Sequence, residues 1–281
     1  MRISPPNPEL LALHTGTVGK TWDLRQIIDG CARHRFRGIS PGRDRLKQMG
    51  VKEAAKAIRG NGLTPTGLYG AGMFPAQDRK ARELAIDEAR RAIEEAATLE
   101  AECLALTVGG LPEDSKDLPG AREMVRDGLG RTLDHARSAG VRLAIEPMHP
   151  MHCAAQSCIN TLAQALDLCD ELDRGGRALG VAVDVYHVWW DPQLKAQIER
   201  AGEKRLLAFQ ISDWLLAPGT MLADRGMMGD GAIDLPLIRS WMEEAGYRGF
   251  HEAEILSAAN WWQRDPDEVL ATCRVRHQTA C

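Results

Sequence analysis

No apolar run in this 281-residue chain approaches the roughly 20 residues that a membrane helix needs. The opening MRISPPNPELLALHTG lacks a charged segment followed by a long apolar stretch, so no leader is expected from it. Lys and Arg form no runs, and 35 basic against 39 acidic residues leave a formal net charge of −4. That balance lacks the basic footprint of nucleic-acid binding. The seven cysteines (Cys31, Cys103, Cys153, Cys158, Cys169, Cys273, Cys281) are odd in number, scattered and without C-x-x-C spacing. Reduced thiols in a cytoplasmic protein are the economical reading. No linker or low-complexity segment interrupts the chain, which predicts a single domain over residues 1–281, long enough to fold without a staple.

What is present is an alternation. Short apolar runs recur eight times: residues 10–18, 37–41, 64–70, 102–110, 141–147, 179–187, 206–212 and 249–255. Between them lie stretches such as 79–101 and 122–140, whose apolar residues fall at three- and four-residue spacing, as on helices. Gly62, Gly140 and Gly246 stand where helices should end. Nearly all-apolar strands joined by helices indicate a parallel sheet covered on both faces. Eight such units in about 250 residues match a single (β/α)8 TIM barrel. An open doubly wound sheet is the rival, but HTGTVGKTWD after the first run carries neither G-x-G-x-x-G nor a P-loop.

In such a barrel the carboxyl ends of the strands form the active-site face. Those ends carry His14, then Glu146 with His149, Asp184 with His187, Gln210 with Asp213, and Glu252 with Glu254. Each has a plain structural reading: an Asp can cap the next helix, a histidine can sit satisfied in a core, and one glutamate of a pair can be an ion-pair partner. Cys153 and Cys158 read as small buried side chains. The coincidence is more telling, because four consecutive strands each deliver an oxygen ligand at the same end. Buried carboxylates converging there need a cation to neutralise them. Glu, Asp and an amide oxygen suit Mn²⁺ or Mg²⁺ best, with Co²⁺ or Zn²⁺ admitted if a histidine joins.

IEPMHPM, VDVYHVWWD, FQISDW, DRGMMGDGAIDL and AEILS, in this order, resemble the sugar phosphate isomerase/epimerase family of the xylose isomerase-like TIM barrels. That superfamily also includes ketose 3-epimerases, inosose isomerases and dehydratases, and endonuclease IV. The resemblance covers nearly the whole chain and implies metal ligands at Glu146, Asp184, Gln210 and Glu254. It implies a substrate-contacting histidine at His187 and an arginine reaching a substrate oxygen at Arg225. Gln210 departs from the pattern, since the epimerases usually carry His there, and this favours Mn²⁺ or Mg²⁺ over Zn²⁺. His14, His149 and Asp213 complete the expected substrate contacts, and Trp189 with Trp190 would wall the pocket against the C–H face of a sugar.

The expected activity is a divalent-metal-dependent isomerase or epimerase of a sugar, keto-sugar or cyclitol acting through an enediolate. Glu146 and Glu254 would serve as the acid/base pair. A lyase that dehydrates a keto-cyclitol or dehydroshikimate-like acid would use the same residues. Endonuclease IV-like DNA repair needs more histidines than these strand ends supply. A non-catalytic sugar-binding barrel is the remaining alternative. Glu254 rather than Glu252 is expected at the reacting carbon, because it stands nearer the open end of its strand. No membrane or nucleic-acid partner is expected, and a homo-oligomer remains open. No Gly-rich phosphate site is apparent, so an unphosphorylated substrate is favoured.

Overall fold

The computed structural model describes residues 4–216, 219–220 and 223–281, so the first three residues of the stretch read for a leader lie outside it. Strands and helices alternate along the chain. The first quarter holds β1 (Leu11–His14), α1 (Leu24–Arg33), β2 (Gly38–Ser40), α2 (Arg43–Met49), α3 (Val51–Gly60), β3 (Thr64–Pro65) and β4 (Leu68–Gly72). Then come α4 (Arg79–Leu99), β5 (Leu104–Thr107), α5 (Leu118–Ala139), β6 (Leu143–Ile145), α6 (Leu162–Leu172) and β7 (Leu179–Asp184). The remainder is α7 (Val185–Val188), α8 (Leu194–Arg205), β8 (Leu206–Ile211), α9 (Leu235–Glu244), β9 (His251–Ala253) and α10 (Pro266–Ala280).

All strand pairs are parallel, and the order β3-β2-β1-β9-β8-β7-β6-β5-β4 makes a nearly closed barrel of nine strands. The helices cover its outside, and the main apolar core lies between the two layers. A smaller cluster of Cys103, Ala144, Ala182, Leu207 and Ala208 is separate from it. Local signals agree with the periodicity. Asp23 with Gln26 and Thr161 with Gln164 form capping boxes at the starts of α1 and α6. The three expected helix-terminal glycines all take positive φ.

The expected eight strands become nine because the third one, residues 64–70, is split. Its first half pairs with β2 and its second with β5. The amides of Thr64 and Thr66 bond to Arg37 and Ile39 on the β2 side, while Leu68 bonds to Cys103 on the β5 side and Tyr69 to Pro41. In a regular strand residues 66 and 68 would share a face. Here Gly67 acts as one extra residue, as in a bulge, so Thr66 and Tyr69 share the inward face while Leu68 joins the outer core. A Cβ on Gly67 would stand 2.9 Å from Ser40 Oγ and 3.1 Å from the Tyr69 ring, so the inward turn needs glycine there. A bridge between Gly42 and Tyr69 links the second half back to the β2 side.

The irregular strand ends at Gly72, where φ is +111° and a Cβ would lie 2.3 Å from the Thr107 carbonyl oxygen. Gly72→Ala is therefore expected to destabilise the fold by more than about 1 kcal/mol. A thermal melt checks this, and an unchanged melting temperature would contradict the strained turn.

Candidate active site

β7 is apolar up to Asp184, whose two oxygens have separate work. Oδ1 accepts from the Tyr186 amide at 2.9 Å and caps the one-turn helix α7, so the helix-cap reading holds for that oxygen. Oδ2 accepts from Arg225 Nη1 at 2.8 Å. The turn of α7 brings His187 back beside its own cap, with Nε2 3.6 Å from Asp184 Oδ2 and 3.9 Å from Glu146 Oε1. One ligand atom from each of Glu146, Asp184 and His187 lies within 4.8 Å of the others, and all three residues are buried. Arg225 Nη1 also reaches Glu254, 3.5 Å from Oε2, and so bridges β7 and the end of β9. On the far side of Glu254, His14 Nδ1 is 3.6 Å from Oε1.

Barrel stagger decides between the two glutamates of β9. Asp184, Gln210 and Glu252 are register partners across β7, β8 and β9. Strands of a closed barrel tilt, so the position level with Asp184 moves up by about one residue per strand. Two strands on, that position is Glu254, and Glu252 falls one layer below. Glu254 lines a cavity of about 310 Å³ together with His14, Glu146, His187 and Arg225. Glu252 instead accepts from Thr66 Oγ1 and Tyr69 Oη, each at 2.7 Å. Asp184 and Gln210 are fully buried beneath the lining.

Fully ionised, Glu146, Asp184, Glu254 and Arg225 would carry two excess negative charges in a dry site. The protonation equilibria show how the protein resists this. Burial, with the charges of Glu254 and Asp184, holds Glu146 well above the usual carboxylate range. Asp184 is pushed up to about 6 by burial, against the pull of Arg225. Glu254 goes the other way: burial raises it, but Arg225 and His14 outweigh that and hold it below its ordinary value. Burial and Arg225 lower His187, and burial is the main cause that lowers His14, so both are neutral at pH 7. His14 Nδ1 accepts from the Gly16 amide, which leaves its proton on Nε2.

The donor set fits a hard divalent ion. Among the described residues, Gln210 Oε1 and Glu254 Oε2 are buried without a hydrogen-bond partner, although Arg225 pairs with the latter at 3.5 Å, an arrangement costly to leave unsatisfied. Two excess negative charges match one divalent cation, and carboxylate and amide oxygens suit Mg²⁺ or Mn²⁺.

Several expected contacts lie elsewhere. Asp213 does not line the cavity; its carboxylate accepts from the amides of Trp214, Gly229, Gly231 and Ile233, and so folds the loop that carries Arg225. Trp189 packs on Trp214, and Trp190 donates to the His187 carbonyl, both away from the cavity wall. His149 packs on Trp190 and Trp214, and its Nδ1 accepts from the Met151 amide. The aromatic wall is instead Tyr69 and Trp262, the latter held by its Nε1–H donated to the Gly16 carbonyl. Thr107, Met148, Gln156, Ala223 and Leu256 complete the lining. Thr107 is the last residue of β5, a signal that could have found it, whereas Tyr69 is the second residue of β4 and gives no such signal. A larger groove of about 660 Å³ lies among the charged residues of α4 and α5, outside the barrel.

A family model described as xylose isomerase-like TIM barrel matches residues 28–273. Among solved structures, protein SMc04130 from Sinorhizobium meliloti 1021 is 50% identical, covering 98% of this chain and 99% of its own, with a TM-score of 0.95. The IOLI protein, solved with a bound zinc atom, is 21% identical over 95% of both chains, with a TM-score of 0.81. A 3-keto-D-glucoside 4-epimerase from E. coli is 19% identical over 97% of this chain and 99% of its own, with a TM-score of 0.74. A search of curated protein sequences finds no match. Among the described residues no helix is long and apolar enough to cross a membrane.

Glu146, Asp184 and Glu252 keep protons that the unfolded chain releases at its ordinary carboxylate values, and Glu254 alone of the four opposes them. These carboxyls alone favour the folded state less as pH rises from about 4 to about 7. His14, His149, His152, His187, His251 and His277, all lowered by burial, act the other way, so the cluster shows itself through its response to a metal. A divalent ion, which binds deprotonated ligands of the folded state, should raise the melting temperature more at pH 7.5 than at pH 5. Melts with and without MnCl₂ at the two values check this, and equal shifts would contradict it.

Proposed function

Because the chain belongs to the xylose isomerase-like TIM barrel family, we propose that it is a divalent-metal-dependent isomerase or epimerase of an unphosphorylated sugar, keto-sugar or cyclitol. The observation that carries the reading is that Glu146 and Glu254 line one cavity with His187 and Arg225, in environments that shift the two glutamates in opposite directions. Arg225 holds Glu254 below its ordinary value, and burial holds Glu146 well above its own. Carboxyls whose environments push their proton affinities apart supply a base and an acid at one pH.

Glu146, Asp184, Gln210 and Glu254 would hold the ion. When bound, it supplies a positive charge that favours the enediolate form of a substrate carrying a carbonyl beside a hydroxyl. Glu254 removes the proton from the carbon next to the carbonyl, and Glu146 returns one, the roles exchanging with direction. His187 and Arg225 line the same cavity, where Arg225 keeps Glu254 ionised and neutral His187 reaches substrate oxygens. His14, neutral with its proton on Nε2, offers a donor to a hydroxyl. Trp262 and Tyr69 exclude water and meet the apolar faces of the substrate. Among the described residues Arg225 is the one Lys or Arg lining the cavity, and it is already engaged by Asp184 and Glu254. A phosphate dianion would meet a site with no cation to spare, which favours an unphosphorylated substrate.

Glu254→Gln is expected to keep the fold and to slow solvent-proton exchange at the substrate carbon by at least about a hundredfold. Proton NMR in D₂O with a panel of keto-sugars and keto-cyclitols checks this. Exchange at the wild-type rate would remove Glu254 from the reaction.

A further inference from the structure

Gln210 occupies the one ligand position whose side chain can turn the wrong way. One end of its amide is an oxygen that can ligate and the other an NH₂ that cannot. Side-chain amides have little intrinsic preference between the two orientations, so something must choose. Gln210 is fully buried, and its Nε2 donates to Tyr69 Oη at 2.5 Å. A phenol has one hydrogen, and beside an ionised Glu252 Tyr69 spends it on Oε2 at 2.7 Å. Toward Gln210, Tyr69 can therefore only accept, which obliges the NH₂ end to face it. Oε1 is left on the opposite side, buried and without a hydrogen-bond partner among the described residues. With Glu252 ionised, the outward turn of that oxygen follows from the direction of the hydrogen bonds in the relay.

The relay has its own scaffold. Thr66 holds the other oxygen of Glu252 at 2.7 Å, and the extra residue at Gly67 puts Thr66 and Tyr69 on the same inward face. A Cβ at Gly67 would come within 3.5 Å of Glu252 Oε1.

We propose that Tyr69, anchored by Glu252, is a positioning residue that orients the Gln210 amide so that its oxygen faces the Glu146–Asp184–Glu254 cluster. This rests on the metal-centre reading above and adds a role that none of the ligands performs. It also explains how a glutamine can stand where an imidazole is the usual donor. The imidazole needs one tautomer, and the amide needs one rotamer, here enforced from below.

The test is Mn²⁺ binding to the purified full chain, followed by the electron paramagnetic resonance of free Mn²⁺, for wild type, Tyr69→Phe, Gln210→Ala and the double variant. Tyr69→Phe should weaken binding by about 10–100-fold, the usual effect of removing a partner that orients a ligand. Gln210→Ala should weaken it at least as much. In the double variant the tyrosine change should cost nothing further, because there is no amide left to orient. Losses that simply multiply would mean that Tyr69 acts without Gln210, and wild-type binding in Tyr69→Phe would mean that it does not act at all; either overturns the inference. Equal binding by wild type and Gln210→Ala, or none by either, would instead sink the metal-centre reading itself. Gln210→Glu supplies a second background that does not depend on the alanine variant folding. A carboxylate presents an oxygen whichever way it turns, so Tyr69→Phe should have no effect there, and a loss as large as in wild type would again overturn the proposal.

Discussion

One guanidinium among three buried carboxylates governs this molecule. Arg225 contacts Asp184 at 2.8 Å and Glu254 at 3.5 Å and lies over the Tyr186 ring at 4.6 Å. It arrives on a loop whose shape is set by Asp213, which gathers four backbone amides onto one carboxylate. Removing the arginine would leave the cluster uncompensated in a medium where a lone buried charge is very costly. With it in place, full ionisation would still leave an excess of two negative charges, and Glu146 and Asp184 are accordingly raised above their ordinary values. That excess is what a divalent ion would neutralise. The same arginine separates the two glutamates chemically, since it lowers Glu254 while Glu146 stays high.

Beneath this cluster lies a second polar layer, and the two layers are connected by barrel geometry. The stagger between β7 and β9 places Glu254 level with Asp184 and Glu252 below it. A carboxylate at that depth is affordable only with donors, and the bulge at Gly67 turns Thr66 and Tyr69 inward to provide them. Even so, Glu252 is pushed up to about 7, mainly by burial. The lower layer passes its order upward through Tyr69 to Gln210, so a distortion in the third strand is tied to the presentation of an amide oxygen two layers from solvent.

The barrel was legible because apolar runs and three-to-four spacing repeat wherever a parallel strand and a covering helix must each bury a face. The strand-end residues were legible for the same reason: they are polar where everything around them is apolar. What the residues did not disclose is direction. A carboxylate at a strand end looks the same whether it faces a cavity, as Glu254 does, or a ring of loop amides, as Asp213 does. The tryptophans were misplaced likewise. Trp189 and Trp190 follow Asp184 so closely that they seem bound to the site, yet α7 turns them to the rim, while Trp262 reaches the cavity from a loop after β9. The split third strand was hidden because its bulge is defined by hydrogen bonds to β2 and β5, which no local pattern records. Arg225 was expected at the substrate, and its tie to Asp184 depends on contacts between residues 41 positions apart.

The central claim is that the charge excess at the barrel mouth is made to hold a divalent ion. Anomalous diffraction from crystals soaked in MnCl₂ tests it most directly. The account predicts one manganese peak per chain, with oxygens of Glu146, Asp184, Gln210 and Glu254 at about 2.0–2.6 Å. A peak ligated by His187 without Gln210, or an undisturbed Arg225 bridge with no peak, would contradict it.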